Sequence, residues 1–183
     1  MAYVRVETTK AGPDFAHERR LLDAGAIHVA GIDEVGRGAL AGPVTVAAVI
    51  LDLNDLPEGI DDSKALTAKR RDAAFADILR RALRALALPA CAALIDGRDI
   101  PADLCCPAQA IIGGDALSLS IASASIVAKV TRDAMMARLE ARYPAYGFAA
   151  HVGYGTPQHL RAIGRHGVTE LHRRSFAPCG ISG

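Results

Sequence analysis

The sequence has no tryptophan, and aromatic residues fill only 4 % of its 183 positions. Its core must therefore be built from alanine, leucine, isoleucine and valine, within a hydrophobic share of 51 %. No apolar run is long enough, and free enough of charge, to span a membrane. The opening stretch "MAYVRVETTKAGPDF" lacks the pattern of a secretory leader, so a cytoplasmic location is expected. A dominant charge of one sign is also missing: 21 Lys and Arg face 20 Asp and Glu, leaving +1. That excludes a grip on nucleic acid by bulk charge, though not a local patch. Cysteine is sparse. Cys91, Cys105, Cys106 and Cys179 fit no zinc spacing, and the vicinal pair makes a poor disulfide framework, so reduced thiols are expected. Repeats, low-complexity segments and linkers are absent, and the length fits a single domain, 1–183.

The patterning predicts an α/β chain. Residues 14 to 24 read as a short helix stopped by Gly25. Residues 27 to 33 read as a strand. The run "PVTVAAVIL", 43 to 51, is almost wholly apolar, as expected of a strand buried on both faces. Thr67 is placed to N-cap a helix running to about Leu86, with an apolar stripe at Phe75, Ile78, Leu79, Ala82 and Leu86 and with Pro89 beyond its end. "CAALID" and "AQAII" read as two short strands joined by "GRDIPADLCCP". A long helix is expected from Ser118 to Arg142, and another near 157 to 165. This order suggests a mixed sheet with helices packed on it.

Two basic segments stand out. One holds Lys64, Lys69, Arg70, Arg71, Arg80, Arg81 and Arg84. The other holds Arg161, Arg165, Arg173 and Arg174 with three nearby histidines. Taken alone, each reads as a solvated helix face.

Four acids sit where structure alone does not ask for them. Asp33 and Glu34 interrupt an apolar run at the end of the first strand, and Asp115 follows "AIIGG". Each lies where a strand leaves the core, a common place for active-site groups. Taken singly, each also fits an Asx-turn or a helix cap. Asp133 falls near the centre of a stripe formed by Leu119, Ala122, Ile126, Val130 and Ala137. An acid on a buried face must be paired, protonated or bound to metal. Carboxylates converging without His or Cys suit a hard divalent ion, Mg²⁺ or Mn²⁺. Two such ions would form a phosphoryl-transfer centre. Adjacent strand residues face opposite ways. Gly36 and Gly38 are expected to bend the chain so that both acids border one site, with Arg37 offering charge to a phosphate.

The segments "GIDEVGRGALAGPV", "DDSK", "IDGRDIP", "GDALSLSIASASIVAKVTRD", "YGFAAHVGYGT" and "HRRSF" resemble, in order, the signature segments of bacterial ribonuclease HII. The likeness runs from about residue 13 to residue 178. It implies an RNase H-like mixed sheet flanked by helices. It also implies metal-dependent cleavage of RNA in RNA–DNA hybrids, and incision 5′ to single ribonucleotides embedded in duplex DNA, leaving 5′-phosphate and 3′-hydroxyl ends. By the resemblance, Asp33, Glu34, Asp115 and Asp133 are the catalytic, metal-binding acids, with Mn²⁺ or Mg²⁺ in a two-metal mechanism. Gly36, Arg37 and Gly38 fall on the motif that reads the ribose 2′-hydroxyl, the group that separates RNA from DNA. Tyr154 falls on the tyrosine that stacks on the following deoxyribose. Ser63 and Lys64 are expected near the substrate backbone. A monomer acting on nucleic acid, without a membrane, is expected. "APCGISG" shows no obvious sliding-clamp motif.

The chain departs from the family in two ways. Gly113, Leu117 and Val152 stand where the family usually has basic residues, and each lost phosphate contact weakens binding. Ser123 replaces a usual alanine. In addition, a few dozen residues are missing near 78–80, roughly one edge strand and parts of two helices, which fuses two helices into one at 67–87. A newly exposed apolar edge is an aggregation hazard. A catalytically impaired or vestigial hybrid-binding domain is therefore the alternative reading. A resolvase-like enzyme is a third, against which the Gly-Arg-Gly and "GYGT" segments argue.

Overall fold

A computed structural model describes residues 12–61, 63, 64, 66, 67, 69 and 88–180. The helix expected from Thr67 to about Leu86 lies almost wholly outside these residues, as do Arg70, Arg71, Arg80, Arg81 and Arg84. The described elements run α1 (Ala16–Asp23), β1 (Val29–Val35), β2 (Thr45–Ile50), β3 (Ala92–Asp96), β4 (Ala108–Ile111), α2 (Leu119–Arg142), α3 (Phe148–His151) and α4 (Pro157–His166). Short 3₁₀ turns at Gly114–Ala116 and Ala177–Cys179 complete them.

The four described strands form one mixed sheet in the order β2-β1-β3-β4. β1 pairs antiparallel with β2 and parallel with β3, which pairs parallel with β4. The C-terminal ends of β1, β3 and β4 thus open toward the same edge of the sheet, where ligand sites form in open α/β folds.

β2 corrects one expectation. Its apolar run predicts burial on both faces, but it flanks the sheet among the described strands, and its residues alternate between half-buried and exposed from Thr45 to Ala48, before buried Val49. Val46 is 63 % exposed. An apolar run reports hydrophobicity, not position. A β-branched edge strand reads like a central one.

Helix α2 organises the rest. The Ser118 hydroxyl accepts the Ile121 N–H at 3.2 Å and caps it. Its first two turns are rich in alanine and serine and lie directly on β1. A Cβ added to Gly31 would sit 2.1 Å from the Ser120 carbonyl carbon, so only glycine permits this approach. Buried Glu18 of α1 accepts both the Ser118 hydroxyl and the Ser120 N–H, fastening α1 to the start of α2. Ser123 bonds back to the Leu119 carbonyl at 2.8 Å, so its extra hydroxyl is satisfied within the helix.

Apolar residues gather in three clusters. One includes Val49, Ile60, Leu119 and Ile126, a second Val29, Leu94 and Ile121, and a third Met136, Tyr146 and Phe148. The third joins the C-terminal segment to the far half of α2. Tyr146 and Phe148 stack there at 5.4 Å, so the few aromatics are concentrated where small residues would leave gaps. No helix among the described residues is long and apolar enough to cross a membrane.

Candidate active site

Asp33 and Glu34 occupy successive positions of β1, and pairing with β2 continues through Val35. The bend expected at the glycines therefore comes after both acids. Asp33 is buried and its carboxylate accepts the Glu34 N–H at 2.7 Å, while Glu34 is half-buried and accepts from Arg37 at 3.1 Å. Burial pushes the Asp33 carboxyl up to about 6, and the charges of Asp96 and Asp115 add to the rise. Hydrogen bonds from Ser125 and from the Glu34 N–H work the other way.

Asp115 is carried by the 3₁₀ turn after β4. Gly113, at φ +65, lets the chain enter that turn. The Gly114 N–H donates to Asp96 Oδ1 at 2.8 Å, so Asp96 holds the turn in place. Lys64 donates to Asp115 at 3.0 Å. Ser63 is buried and within 2.8 Å of the Ser125 hydroxyl. It therefore lies against α2, not on an open surface.

Asp133 corrects a second expectation. The buried residues of this half of α2 are Ala128, Arg132 and Met136, four residues apart, whereas Ala137 is exposed. Asp133 lies beside that face, half-buried, and is bonded to Lys129 at 2.6 and 2.7 Å. The apolar stripe of the first half does not continue because the C-terminal segment, not the sheet, covers the second half.

The face thus identified holds a residue that the apolar pattern does not single out. Arg132 is fully buried and donates to three carbonyls: Pro43 at 2.9 Å, Val152 at 2.8 Å and Ala41 at 3.3 Å. Its guanidinium also sits 5.5 Å from the Tyr154 ring centroid. Arg173 works from the other side, donating to the Arg37 carbonyl at 2.6 Å and the Gly42 carbonyl at 3.0 Å. It is not the solvated side chain expected of the second basic segment.

These two arginines turn the carbonyls of the 36–43 loop inward. Among the described residues, the N–H groups of Arg37 and Gly38 have no hydrogen-bond partner. Gly38 is exposed and lacks a positive φ, and a Cβ there would meet nothing within 4 Å. The fold does not need a glycine at that position. Unpaired donors on exposed residues that follow Asp33 and Glu34 in the chain suit an oxygen of an approaching ligand. Tyr154 is 37 % exposed on the neighbouring loop. That loop touches the first: the N–H groups of Leu40 and Ala41 both donate to the Gly153 carbonyl.

Among the described residues, no group of three or more His, Cys, Asp or Glu side chains is close enough to hold a metal ion. The donor chemistry nevertheless fits a hard cation. Glu34, Asp115 and Asp133 each carry a Lys or Arg at hydrogen-bond distance, while buried Asp33 has no cation partner among the described residues. Asp33 lies in the field of two further carboxylates, a cost that a divalent ion bound by oxygen would relieve.

Arg132, Arg173 and Asp96 all lie within the segments that resemble the family. For Arg132 the available signal is the four-residue spacing from Ala128 to Met136.

The family model described as Ribonuclease HII matches residues 30–88 and 72–179. The stretch 72–88 is matched twice, as expected where two separated parts of a pattern have been brought together by a deletion. Ribonuclease HII of Rhizobium johnstonii is 50 % identical over 200 residues, covering 94 % of this chain and 87 % of its own. That alignment is longer than the 183-residue chain, so the relative holds residues with no counterpart here. Ribonuclease HII of Brucella ovis is 50 % identical over 196 residues, covering 91 % of this chain and 89 % of its own. Among solved structures, ribonuclease H2 from Pyrococcus horikoshii superposes with a TM-score of 0.67 at 21 % identity, over 84 % of this chain and 95 % of that one. The RNase HII in a PCNA complex from Archaeoglobus fulgidus gives 0.65 at 24 % identity, over 80 % and 94 %. Bst-RNase HIII in complex with Mn²⁺ gives 0.61 at 18 % identity, over 85 % and 68 %. The structural likenesses establish a shared fold.

Proposed function

The chain belongs to the ribonuclease HII family and is an endoribonuclease of the ribonuclease H kind; we propose that it cleaves the RNA strand of RNA–DNA hybrids and incises 5′ to ribonucleotides embedded in duplex DNA, as a single-domain cytoplasmic monomer. The products carry 5′-phosphate and 3′-hydroxyl ends. The observation that carries this reading is the Gly36–Gly38 turn. Its neighbouring carbonyls are bonded by Arg132 and Arg173, and the N–H groups of exposed Arg37 and Gly38, which follow Asp33 and Glu34 in the chain, have no hydrogen-bond partner among the described residues. Such donors suit a 2′-hydroxyl or a phosphate oxygen.

Asp33, Glu34, Asp115 and Asp133 are the proposed ligands of Mg²⁺ or Mn²⁺, which would supply an activated water and stabilise the leaving oxygen. Arg37 and Lys64 hold Glu34 and Asp115 and lie exposed, so both can swing to substrate phosphates. Ser63 bonds to Ser125, which favours the ionised form of Asp33. The Tyr154 ring offers an apolar face to the sugar that follows the ribonucleotide.

A catalytically impaired hybrid-binding domain is the second reading. What favours it is that three of the four acids are held by basic side chains. Incubation of the protein with a duplex holding one ribonucleotide, with Mn²⁺ or Mg²⁺, separates the two. Incision on the 5′ side, abolished in Asp33→Asn, supports the first reading. Binding without incision in either metal supports the second.

A further inference from the structure

Three histidines lie buried together outside the acidic site. His151 and His159 stack at 4.3 Å between ring centroids, and His159 Nε2 lies 3.1 Å from His172 Nε2. Such a trio invites a metal reading. The hydrogen bonds oppose it, because every ring nitrogen already has a partner. His151 Nε2 meets the Tyr146 carbonyl at 2.8 Å, and its Nδ1 accepts the Gly153 N–H at 3.2 Å. His159 Nδ1 meets the Tyr154 carbonyl at 3.0 Å, and His172 Nδ1 accepts the Thr169 N–H at 3.0 Å.

These partners allow only one tautomer at each position. An N–H of Thr169 points at His172 Nδ1, so that nitrogen is bare and the proton is on Nε2. His172 Nε2–H then donates to His159 Nε2, which must be bare. His159 therefore carries its proton on Nδ1 and donates it to the Tyr154 carbonyl. The result is a one-way chain from Thr169 through two neutral rings to the backbone of Tyr154.

The loop at the end of this chain has a strained backbone. Val152 has φ +43 and Gly153 has φ +83, so a β-branched residue sits in the left-handed region. A conformation of that kind persists only where its surroundings impose it, and it clusters at ligand-binding positions. Here it is imposed by the Arg132 bond to the Val152 carbonyl, the His151 bond to the Gly153 N–H and the His159 bond to the Tyr154 carbonyl.

We propose that His159 and His172 are positioning residues that act through Tyr154, holding its loop so that the ring meets the sugar following the ribonucleotide. The proposal rests on the reading of Tyr154 given above. It adds a hydrogen-bonded support whose direction is set by Thr169.

The test combines kinetics with spectroscopy on the full chain. Removing the donor in His159→Leu should raise KM for a duplex with one ribonucleotide by about three- to tenfold, as for one lost hydrogen bond, with kcat little changed. His159→Asn keeps a donor near the Nδ1 position and should restore most of the loss. Tyr154→Leu should raise KM similarly, and the double variant should be no worse than Tyr154→Leu alone. Additive effects, or an effect on kcat alone, overturn the proposal. If Tyr154→Leu leaves KM unchanged, the reading of Tyr154 itself fails and takes the proposal with it. If Tyr154→Leu acts and His159→Leu does not, only the support role fails. Should His159→Leu not fold, ¹⁵N–¹H correlation on the unmutated protein still decides. The Nδ1–H form at His159 and the Nε2–H form at His172 are expected, and the opposite tautomer at either overturns the chain.

Discussion

The Nε of Arg132 lies 2.2 Å from the point where a Cβ on Gly36 would stand. Gly36 also has φ +95, a conformation that L side chains rarely adopt. The glycine is thus fixed by a buried arginine ninety-six positions along the chain, through a contact that no local reading of "GRG" reveals. Gly38, two residues on, is fixed by nothing in the fold.

The two glycines should therefore fail differently. Gly36→Ala is expected to destabilise the protein by about 2–4 kcal/mol, through backbone strain and displacement of Arg132. Gly38→Ala should leave the denaturation midpoint nearly unchanged while raising KM for a ribonucleotide-containing duplex. Urea denaturation alongside kinetics checks both.

Asp33 is held in the folded protein at a cost. Its pKa is raised to about 6 from an ordinary 3.8, so above about pH 6 folding must keep a buried carboxylate ionised. Asp33→Asn should stabilise the metal-free protein near neutral pH by about 1–3 kcal/mol while abolishing cleavage. The gain should shrink as pH falls through 6 and vanish only below 3.8, where the wild-type acid is protonated in both states. Mn²⁺ should raise the melting temperature of the wild type more than that of the variant. Melting curves with and without metal provide the check.

His172 acts in the opposite sense over an overlapping range. Burial, and then the neighbouring His159, depress its pKa to about 4 from 6.5. The unfolded chain takes up a proton as pH falls below 6.5 and the folded chain resists until about 4. Stability should fall across that window by about 2–3 kcal/mol and then level off. Measuring it in the Asp33→Asn background removes the opposing carboxylate. A His172→Gln variant should flatten the slope.

Val152 has φ +43, which makes a β-branched residue a strained choice there. Val152→Gly should raise stability by about 1 kcal/mol. Val152→Lys should tighten duplex binding and steepen its dependence on salt by about one ion. Affinity measured over a salt series distinguishes the two effects.

Much of this is legible in the sequence, for identifiable reasons. α2 can be read from Ser118 to Arg142 because its cap, its periodicity and Pro144 agree. Asp33, Glu34 and Asp115 stand out because acids at strand ends interrupt apolar runs. What stays hidden depends on contacts between distant segments. The edge position of β2 follows from pairing order, and the burial of Arg132 instead of Asp133 follows from the C-terminal segment folding across α2. The histidines look like part of a basic surface because sequence does not show that Tyr146 and Phe148 bury them. The shortening after Ile78 is visible as a gap in motif order, and the twofold match of 72–88 agrees with it.

In the proposed function, the turn at Gly36–Gly38 recognises a ribose and directs cleavage beside it. The most direct measurement compares incision rates, in Mn²⁺, on three duplexes that differ only at one 2′ position: hydroxyl, hydrogen or fluorine. Incision is predicted 5′ to the 2′-hydroxyl nucleotide and not at the 2′-hydrogen control, with the fluorine substrate bound but cut far more slowly. Equal incision of the hydroxyl and hydrogen duplexes, or incision of neither, would contradict that role.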